Sequence, residues 1–353
     1  MNLSPQELNR YSRHLLMEEF GQEAQLKLKA ARVLVVGAGG LGSPCLLYLA
    51  AAGVGHIGIA DDDVLHESNL QRQVLFNTED IGFSKAGRAK VHLLKQNSFI
   101  EIETHPRITP ENVFEVLKLY DLVIDGSDNF STRYLLNDAC VIGGKPYIYG
   151  ALFKFEGQVS TFNYMGGPTY RCLYPEAPAA GQVPACGEAG VLGVLPGIIG
   201  TWQATEALKI ITGVGEPLSG KLLVIDLLSN EINSIGFKAV PDNKKIASLE
   251  TYDDACSISN QSVDYSTLNK WIESGEVTVV DVREEYEYER FNIGGLNVPL
   301  SSLEEEIDEF NTGNKVVVLC QTGARSLKAM QIVQRTFPDL EIYNLKNGIQ
   351  SII

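Results

Sequence analysis

The chain has 353 residues, 44% of them hydrophobic, and a formal charge of −15. That length is more than one hydrophobic core ordinarily organises, so two domains are expected, and the acidic balance argues against nucleic acid or an anionic membrane as partner. No stretch is long and apolar enough to span a bilayer, and the N-terminus MNLSPQELNRYSRHLL lacks the apolar centre of a signal peptide. The six cysteines (Cys45, Cys140, Cys172, Cys186, Cys256 and Cys320) are scattered without a C-x-x-C pair. This usage predicts a cytoplasmic protein with reduced thiols.

Residues 1 to about 30 predict helices. RVLVV, residues 32 to 36, predicts a short buried strand, because aliphatic residues follow one another without polar alternation. Gly37, Gly39 and Gly42 then give G-x-G-x-x-G spacing at a strand-to-helix turn, where backbone can approach a phosphate closely. The helix SPCLLYLAAAG, the strand HIGIAD, the helix KAGRAKVHLLKQNS and the strand EIETHP follow, then the helix ENVFEVLKLY and the buried strand LVIDGSD. This alternation predicts an α/β, Rossmann-like doubly wound sheet. GQVSTFNY through PTYRCLYP reads as antiparallel strands and loop, GIIGTWQATEALKIITG as a helix, and KLLVIDLLSNEINSIGF as a hairpin.

The first domain is therefore expected over residues 1–240. Residues 241–260 are polar and unpatterned and predict a linker. Residues 261–353 carry the strands EVTVVDVRE, KVVVLCQTG and LEIYNLKNG between helical stretches, a second, small α/β domain.

The glycine turn alone leaves a dehydrogenase, a flavoprotein or an adenylating enzyme open. An NAD(P)-dependent oxidoreductase with a redox cysteine domain is thus one reading. The residues after the second strand favour another. Asp61 suits ribose hydroxyls, but Asp62, Asp63, Asn69, Arg72 and Gln73 follow at once, and Lys85 opens the next helix. A triphosphate needs such cations: Arg72 and Lys85 would neutralise phosphate oxygens as pyrophosphate departs. Asp128, in DGSDNF at the end of a buried strand, stands where open α/β sheets bind ligands and is suited to Mg²⁺ between phosphates.

GAGGLGSPCLLYLAAAGVGHIGIADDDVLHESNLQRQ, Lys85, DGSDNF and CGEAGVLGVLPGIIGTWQATEALK together resemble the MoeB/ThiF family, adenylyltransferases that activate sulfur carrier proteins and are kin to ubiquitin-activating enzymes. The resemblance implies that the C-terminal glycine carboxylate of a small ubiquitin-like protein ending in Gly-Gly attacks the α-phosphate of ATP. It maps Gly40, Asp61, Ser68, Asn69, Arg72, Lys85, Asp128 and Asn129 onto the ATP site, with Leu70, Gln71 and Gln73 completing the SNLQRQ segment. Arg13 matches an arginine given across a homodimer interface. Cys186 aligns with a loop cysteine proposed to take the activated carrier. Many members hold a structural zinc on two C-x-x-C pairs; here Thr169 stands at the first position beside Cys172, and only Cys256 follows the later strands, so no zinc is expected.

Cys320 ends a buried strand, and the loop CQTGARS is expected to aim its amides at the sulfur, with Arg325 adding positive charge; both favour thiolate. Protein phosphatases share a cysteine loop ending in arginine. The upstream segment VVDVREEYEYERFNIGGLNVPL instead resembles the rhodanese family, matched at Asp281, Arg283, Glu284, Ile293 and Asn297 to Pro299. That resemblance implies a persulfide on Cys320, loaded by a cysteine desulfurase or another sulfur donor, and a carrier thiocarboxylate as product. Such carriers feed molybdopterin synthesis, thiamine thiazole synthesis or tRNA thiolation, and the fused rhodanese-like segment leans toward molybdenum cofactor synthesis, with thiamine synthesis close behind. The chain stops soon after NGIQ, so a short closing helix is expected.

Overall fold

A computed structural model describes residues 2–177, 190–249, 252, 262–303, 305–337 and 339–352. The chain forms two compact units; the first runs through Tyr252, and the described part of the second begins at Ser262. Among the described residues no helix is long and apolar enough to cross a membrane.

The first unit opens with the helices α1 (Pro5–Arg10), α2 (Ser12–Leu15) and α3 (Gly21–Ala30). Ser4 and Glu7 close a reciprocal capping box at the start of α1. There follow β1 (Arg32–Val36), α4 (Gly42–Ala52), β2 (His56–Ala60), α5 (Lys85–Gln96), β3 (Glu101–His105), α6 (Val113–Leu117) and β4 (Leu122–Asp125). Helix α7 (Phe130–Gly143) starts where Asn129 Oδ1 accepts the Thr132 amide at 2.9 Å, and ends at Gly144 in the left-handed conformation. Strands β5 (Tyr147–Phe153) and β6 (Glu156–Phe162), the short helix α8 (Tyr170–Leu173), the long helix α9 (Val194–Thr212), β7 (Lys221–Asp226) and β8 (Glu231–Gly236) complete the unit.

These eight strands form one sheet in the order β3-β2-β1-β4-β5-β6-β7-β8. The first five are parallel and doubly wound, and the last three continue antiparallel. Both faces of β1 are covered, which explains its unbroken aliphatic run: Val33 and Val35 pack with α4, α5 and α9, whereas Leu34 and Val36 pack with α6 and α7. Cys45 and Cys140 are buried in these two cores, and burial pushes both thiols well above the usual cysteine range.

The structure departs from the sequence expectation at three places. Helix α7 and strand β5 lie in a stretch to which no element was assigned. PTYRCLYP holds the short helix α8 instead of strand or loop. The first unit also extends beyond residue 240: Leu249 and Tyr252 pack on its core, and the Tyr252 hydroxyl donates to Asp138 at 2.6 Å.

The second unit is a five-stranded parallel sheet. Its elements are β9 (Ser262–Val263), α10 (Tyr265–Ser274), β10 (Val277–Asp281), α11 (Glu285–Arg290), β11 (Leu296–Asn297), β12 (Lys315–Leu319), α12 (Ala324–Thr336) and β13 (Ile342–Leu345). The strand order is β11-β10-β12-β13-β9. The central strands are again near-continuous valine and leucine, buried on both sides.

The turn after β1 depends on close backbone contact. Gly37 has φ 93°, and a Cβ added at Gly42 would lie 1.9 Å from the Gly37 carbonyl oxygen. Gly42→Ala is expected to cost about 1–3 kcal/mol by overpacking and to weaken nucleotide binding. Gly143→Ala, where an added Cβ meets only Lys145 Cγ at 3.7 Å, should change neither. Thermal denaturation and calorimetric titration with ATP check both variants.

Candidate nucleotide and sulfur sites

The carboxyl ends of β1, β2 and β4 open into one cleft. Gly37, Gly39 and Gly40 form its floor, with Asp61, Asp62, Asp63, Asn69, Arg72, Gln73, Lys85, Asp128 and Asn129 around it. This is where parallel sheets bind ligands, at the point where the strand order reverses beside β1. Each expected residue has a definable place. Asp61 Oδ2 accepts the Ala38 amide at 2.7 Å and Oδ1 accepts the Asp63 amide at 2.9 Å, so this carboxylate ties the glycine turn to the end of β2. Burial raises the Asp61 pKa against the pull of those two amides.

Lys85 is buried at the start of α5, and its Nζ lies 2.5 Å from Asp63 Oδ2. Burial works to raise the Asp63 pKa, but the hydrogen bond and charge of Lys85 prevail and lower it. Arg72 is half-buried and donates from Nη1 to the Ser68 carbonyl at 3.1 Å. Asn69 Oδ1 accepts the His66 amide at 3.1 Å, which shapes the turn that presents Arg72. Gln73 is buried, and its Oε1 has no hydrogen-bond partner among the described residues. Asp128 is exposed at the mouth beyond β4.

Other expected residues are not part of the lining. Gly42 serves the close turn described above. Ser68 contributes its carbonyl to Arg72, Leu70 packs on the core, and the Gln71 backbone lies against Gly193. Arg13, on α2, is exposed and does not line the cleft of its own chain. Cys186 and Cys256 lie outside the described residues. Conversely, Arg107, Ile108, Thr132, Arg133, Leu152 and Val191 line the cleft and were not expected there.

A family zinc would sit beside α8. There the Cys172 sulfur faces hydrogen-bond donors: the Val240 amide at 3.2 Å, the Thr169 amide at 3.3 Å and Asn243 Nδ2 at 3.9 Å, with Thr169 Oγ1 also 3.3 Å away. Burial alone would raise this thiol, and the surrounding hydrogen bonds lower it instead. Among the described residues, one sulfur ringed by N–H groups does not supply the four donors that tetrahedral zinc requires.

In the second unit Cys320 follows β12 and is almost fully buried. The Gly323 amide donates to its sulfur at 3.1 Å, and Ser326 Oγ lies 3.4 Å from it. The short turn Gly348–Ser351 closes the loop from behind, its Ile349 amide donating to the Cys320 carbonyl at 2.9 Å. The guanidinium of Arg325, expected to add positive charge at Cys320, also pairs with Glu287 of α11 in a two-point contact at 2.6 and 2.8 Å. Asp281 likewise pairs with Arg283 at 2.6 Å, and Asn297 donates to the carbonyls of both, so these residues brace the loop scaffold. A larger, open depression on this unit, lined by Gly275, Asn311 and Phe337, holds none of this chemistry.

The ThiF family model matches residues 11–246, two thirds of the sequence. The chain belongs to the ThiF family. Residues 264–353 match the rhodanese-like domain. Over 98% of its length this ThiF-family chain is 44% identical to a probable adenylyltransferase/sulfurtransferase MoeZ of Mycobacterium tuberculosis, covering 93% of that protein. It is 37% identical to an adenylyltransferase and sulfurtransferase MOCS3 of Drosophila persimilis, covering 99% of this chain and 84% of that one. The sulfur carrier protein adenylyltransferase of Thermus thermophilus is 48% identical over 68% of this chain and 91% of its own. Among solved structures, Escherichia coli MccB with ATP aligns with TM-score 0.59 and 25% identity, over 66% of this chain and 73% of MccB. The chain is an enzyme with adenylyltransferase and sulfurtransferase domains. Nothing in the comparisons favours the oxidoreductase reading.

Two expected outcomes follow from this geometry. Purified protein should contain less than about 0.1 zinc per chain by elemental analysis, and chelator should leave its melting temperature unchanged; one zinc per chain would contradict the donor set at Cys172. The second concerns Glu287, whose pKa is lowered, chiefly by the Arg325 hydrogen bond. The stabilisation from this pair is present above the ordinary carboxylate range and is lost as pH falls through the lowered value. The melting-temperature gap between wild type and Glu287→Gln should therefore hold from about pH 8 to pH 5 and shrink below about pH 4.

Proposed function

We propose that this enzyme adenylates the C-terminal glycine of a small ubiquitin-like sulfur carrier ending in Gly-Gly and converts it to a thiocarboxylate. The observation that carries the reading is the placement of Arg72, Lys85 and Asp128 around a glycine floor in one unit, with Cys320 held by the Gly323 amide and the Ser326 hydroxyl in the other. The named activity of the Thermus thermophilus relative on a sulfur carrier supports the substrate class.

In the first half-reaction a carrier carboxylate oxygen attacks the α-phosphorus of ATP, and pyrophosphate leaves on the opposite side. Such in-line transfer depends on positioning and charge neutralisation. Asp61 orients the ribose, the glycine turn brings backbone against the phosphates, and Arg72 and Lys85 compensate charge on the departing pyrophosphate. Asp128, exposed at the mouth, would help hold a Mg²⁺, which would supply screening of phosphate charge. Arg13 reaches the phosphates of the partner subunit in a homodimer. Its exposure beside the solvent-facing Leu16 and Met17 supports that role.

In the second half-reaction Cys320, loaded as a persulfide by a cysteine desulfurase or another sulfur donor, attacks the acyl-adenylate. The terminal sulfur forms the new acyl–sulfur bond and AMP departs. A thiol, either Cys186 or a small dithiol, then attacks the Cys320 sulfur; the S–S bond breaks, the electron pair stays on the carrier thiocarboxylate, and a disulfide is left. The scattered thiols support a cytoplasmic setting, and the carrier would serve molybdopterin or thiamine synthesis or tRNA thiolation.

ATP–pyrophosphate exchange that depends on a Gly-Gly carrier tests the first step. Asp128→Ala is expected to reduce it by about 100-fold or more while leaving the far-ultraviolet circular dichroism unchanged; retained exchange would remove Asp128 from the reaction. Cys320→Ser should keep the exchange and abolish persulfide loading from thiosulfate, read by mass spectrometry as loss of the one-sulfur adduct. Unchanged loading would exclude Cys320.

A further inference from the structure

Arg133 belongs to neither the expected nucleotide site nor the sulfur site. It lies on the first turns of α7, is 6% exposed, and lines the nucleotide cleft. Its guanidinium carbon sits 5.4 Å from the Phe130 ring centroid and 5.5 Å from that of Tyr149, so two aromatic faces fix its position. Its hydrogen bonding is thin for a buried cation. Nη2 donates to the Ser127 carbonyl at a long 3.4 Å, and Nε is buried with no partner among the described residues.

The nearest carboxylate does not satisfy it. Asp125 Oδ2 is 3.9 Å from Nε, beyond hydrogen-bond reach. The oxygens of Asp125 are already taken, by the Ser127 amide at 2.8 Å, the Ser127 hydroxyl at 2.5 Å and the Tyr147 hydroxyl at 2.6 Å. A guanidinium carries five N–H donors and stays charged when buried. The cleft wall thus presents a desolvated cation whose donors are largely unused, and leaving them so is costly unless a ligand takes them.

The position of Arg133 says which ligand. Along the sheet, the cleft runs from Asp61 at β2, over the glycine floor at β1, to Asp128 after β4 and Leu152 on β5. Arg72 and Lys85 belong to the segment between β2 and β3, on one side of the glycine floor. Arg133 lies on the other side, beyond Asp128. In-line displacement at the α-phosphorus puts nucleophile and leaving group on opposite sides of that atom. The cations that serve the departing pyrophosphate therefore leave Arg133 on the side of the attacking group.

Resting on the adenylation reading above, we propose that Arg133 binds the carrier's C-terminal carboxylate and holds it for attack on the α-phosphorus. The guanidinium fork takes one carboxylate oxygen and leaves the other directed at phosphorus. No proton moves in this contact; the carboxylate gives up an electron pair to the new O–P bond as the bond to pyrophosphate breaks.

The test uses the full-length enzyme, ATP with Mg²⁺, and the same organism's small ubiquitin-like protein ending in Gly-Gly as probe. Two variants are compared: Arg133→Lys, which keeps charge without the fork, and Arg133→Gln combined with Asp125→Asn, which removes both buried charges together. Both should bind ATP within about twofold of wild type while kcat/KM for the carrier in pyrophosphate exchange falls about 30-fold or more. A parallel loss of ATP affinity would assign Arg133 to the nucleotide or the scaffold and overturn the proposal. So would retention of carrier kcat/KM within about threefold in either variant. If the double variant does not fold, Arg133→Lys decides alone. Wild-type enzyme that binds ATP but shows no exchange with the carrier would sink the adenylation reading itself, an outcome separate from any variant effect.

Discussion

Backbone touching backbone at the carboxyl ends of β1 and β4 is the constraint on which the nucleotide site depends. The Gly126 amide donates to the Val36 carbonyl at 2.7 Å, and the Gly37 amide donates to the Ala60 carbonyl at 2.8 Å. A side chain at Gly37 would strike the Gly126 carbonyl, and one at Gly42 would strike Gly37. With three strand ends drawn this close, the turn that carries Asp61 and the turn that carries Asp128 face each other across a narrow floor. Asp61 then locks the arrangement through the Ala38 amide. The geometry that admits phosphates is therefore a consequence of sheet packing, set before any charged side chain takes part.

The cations around that floor are held to different degrees. Lys85, buried at the start of α5, leans on Asp63, which offsets the cost of removing an ammonium from water. On the adenylation reading, an entering polyphosphate would compete with Asp63 for Lys85. Arg133 stands at the other extreme, close to Asp125 without a hydrogen bond to it. A side chain already engaged must exchange one anion for another, whereas Arg133 has donors ready for an incoming group. The distinction follows from which lone pairs are already occupied.

Most of the fold was legible because the chain writes it locally. The aliphatic runs of β1, β2, β4, β10 and β12, and the glycine spacing after β1, each specify an element within a few residues. Asp61, Arg72, Lys85 and Asp128, which line one cleft, could be picked out for the same reason: they sit near strand ends or helix starts, where open α/β sheets place ligands. Arg133 was not, because α7 and β5 were not recognised and a charged residue inside a helix reads as solvent-facing unless its aromatic cover is known. The surroundings of Cys172 were equally hidden, since Val240 and Asn243 come to it from a segment far along the chain and carry no sulfur. For Arg325 the sequence showed the adjacent cysteine loop but not Glu287, its partner from a separate helix.

That last difference changes the electrostatics of the sulfur site. A cysteine loop ending in arginine suggests a positive pocket that would draw in an anionic donor such as thiosulfate. Here the guanidinium of Arg325 is matched by Glu287, and that of Arg283 by Asp281. Fixed pairs of this kind orient the loop while cancelling much of its field beyond a few ångströms. Closest to the sulfur are the Gly323 amide and the Ser326 hydroxyl, short-range groups that act on a sulfur already in place.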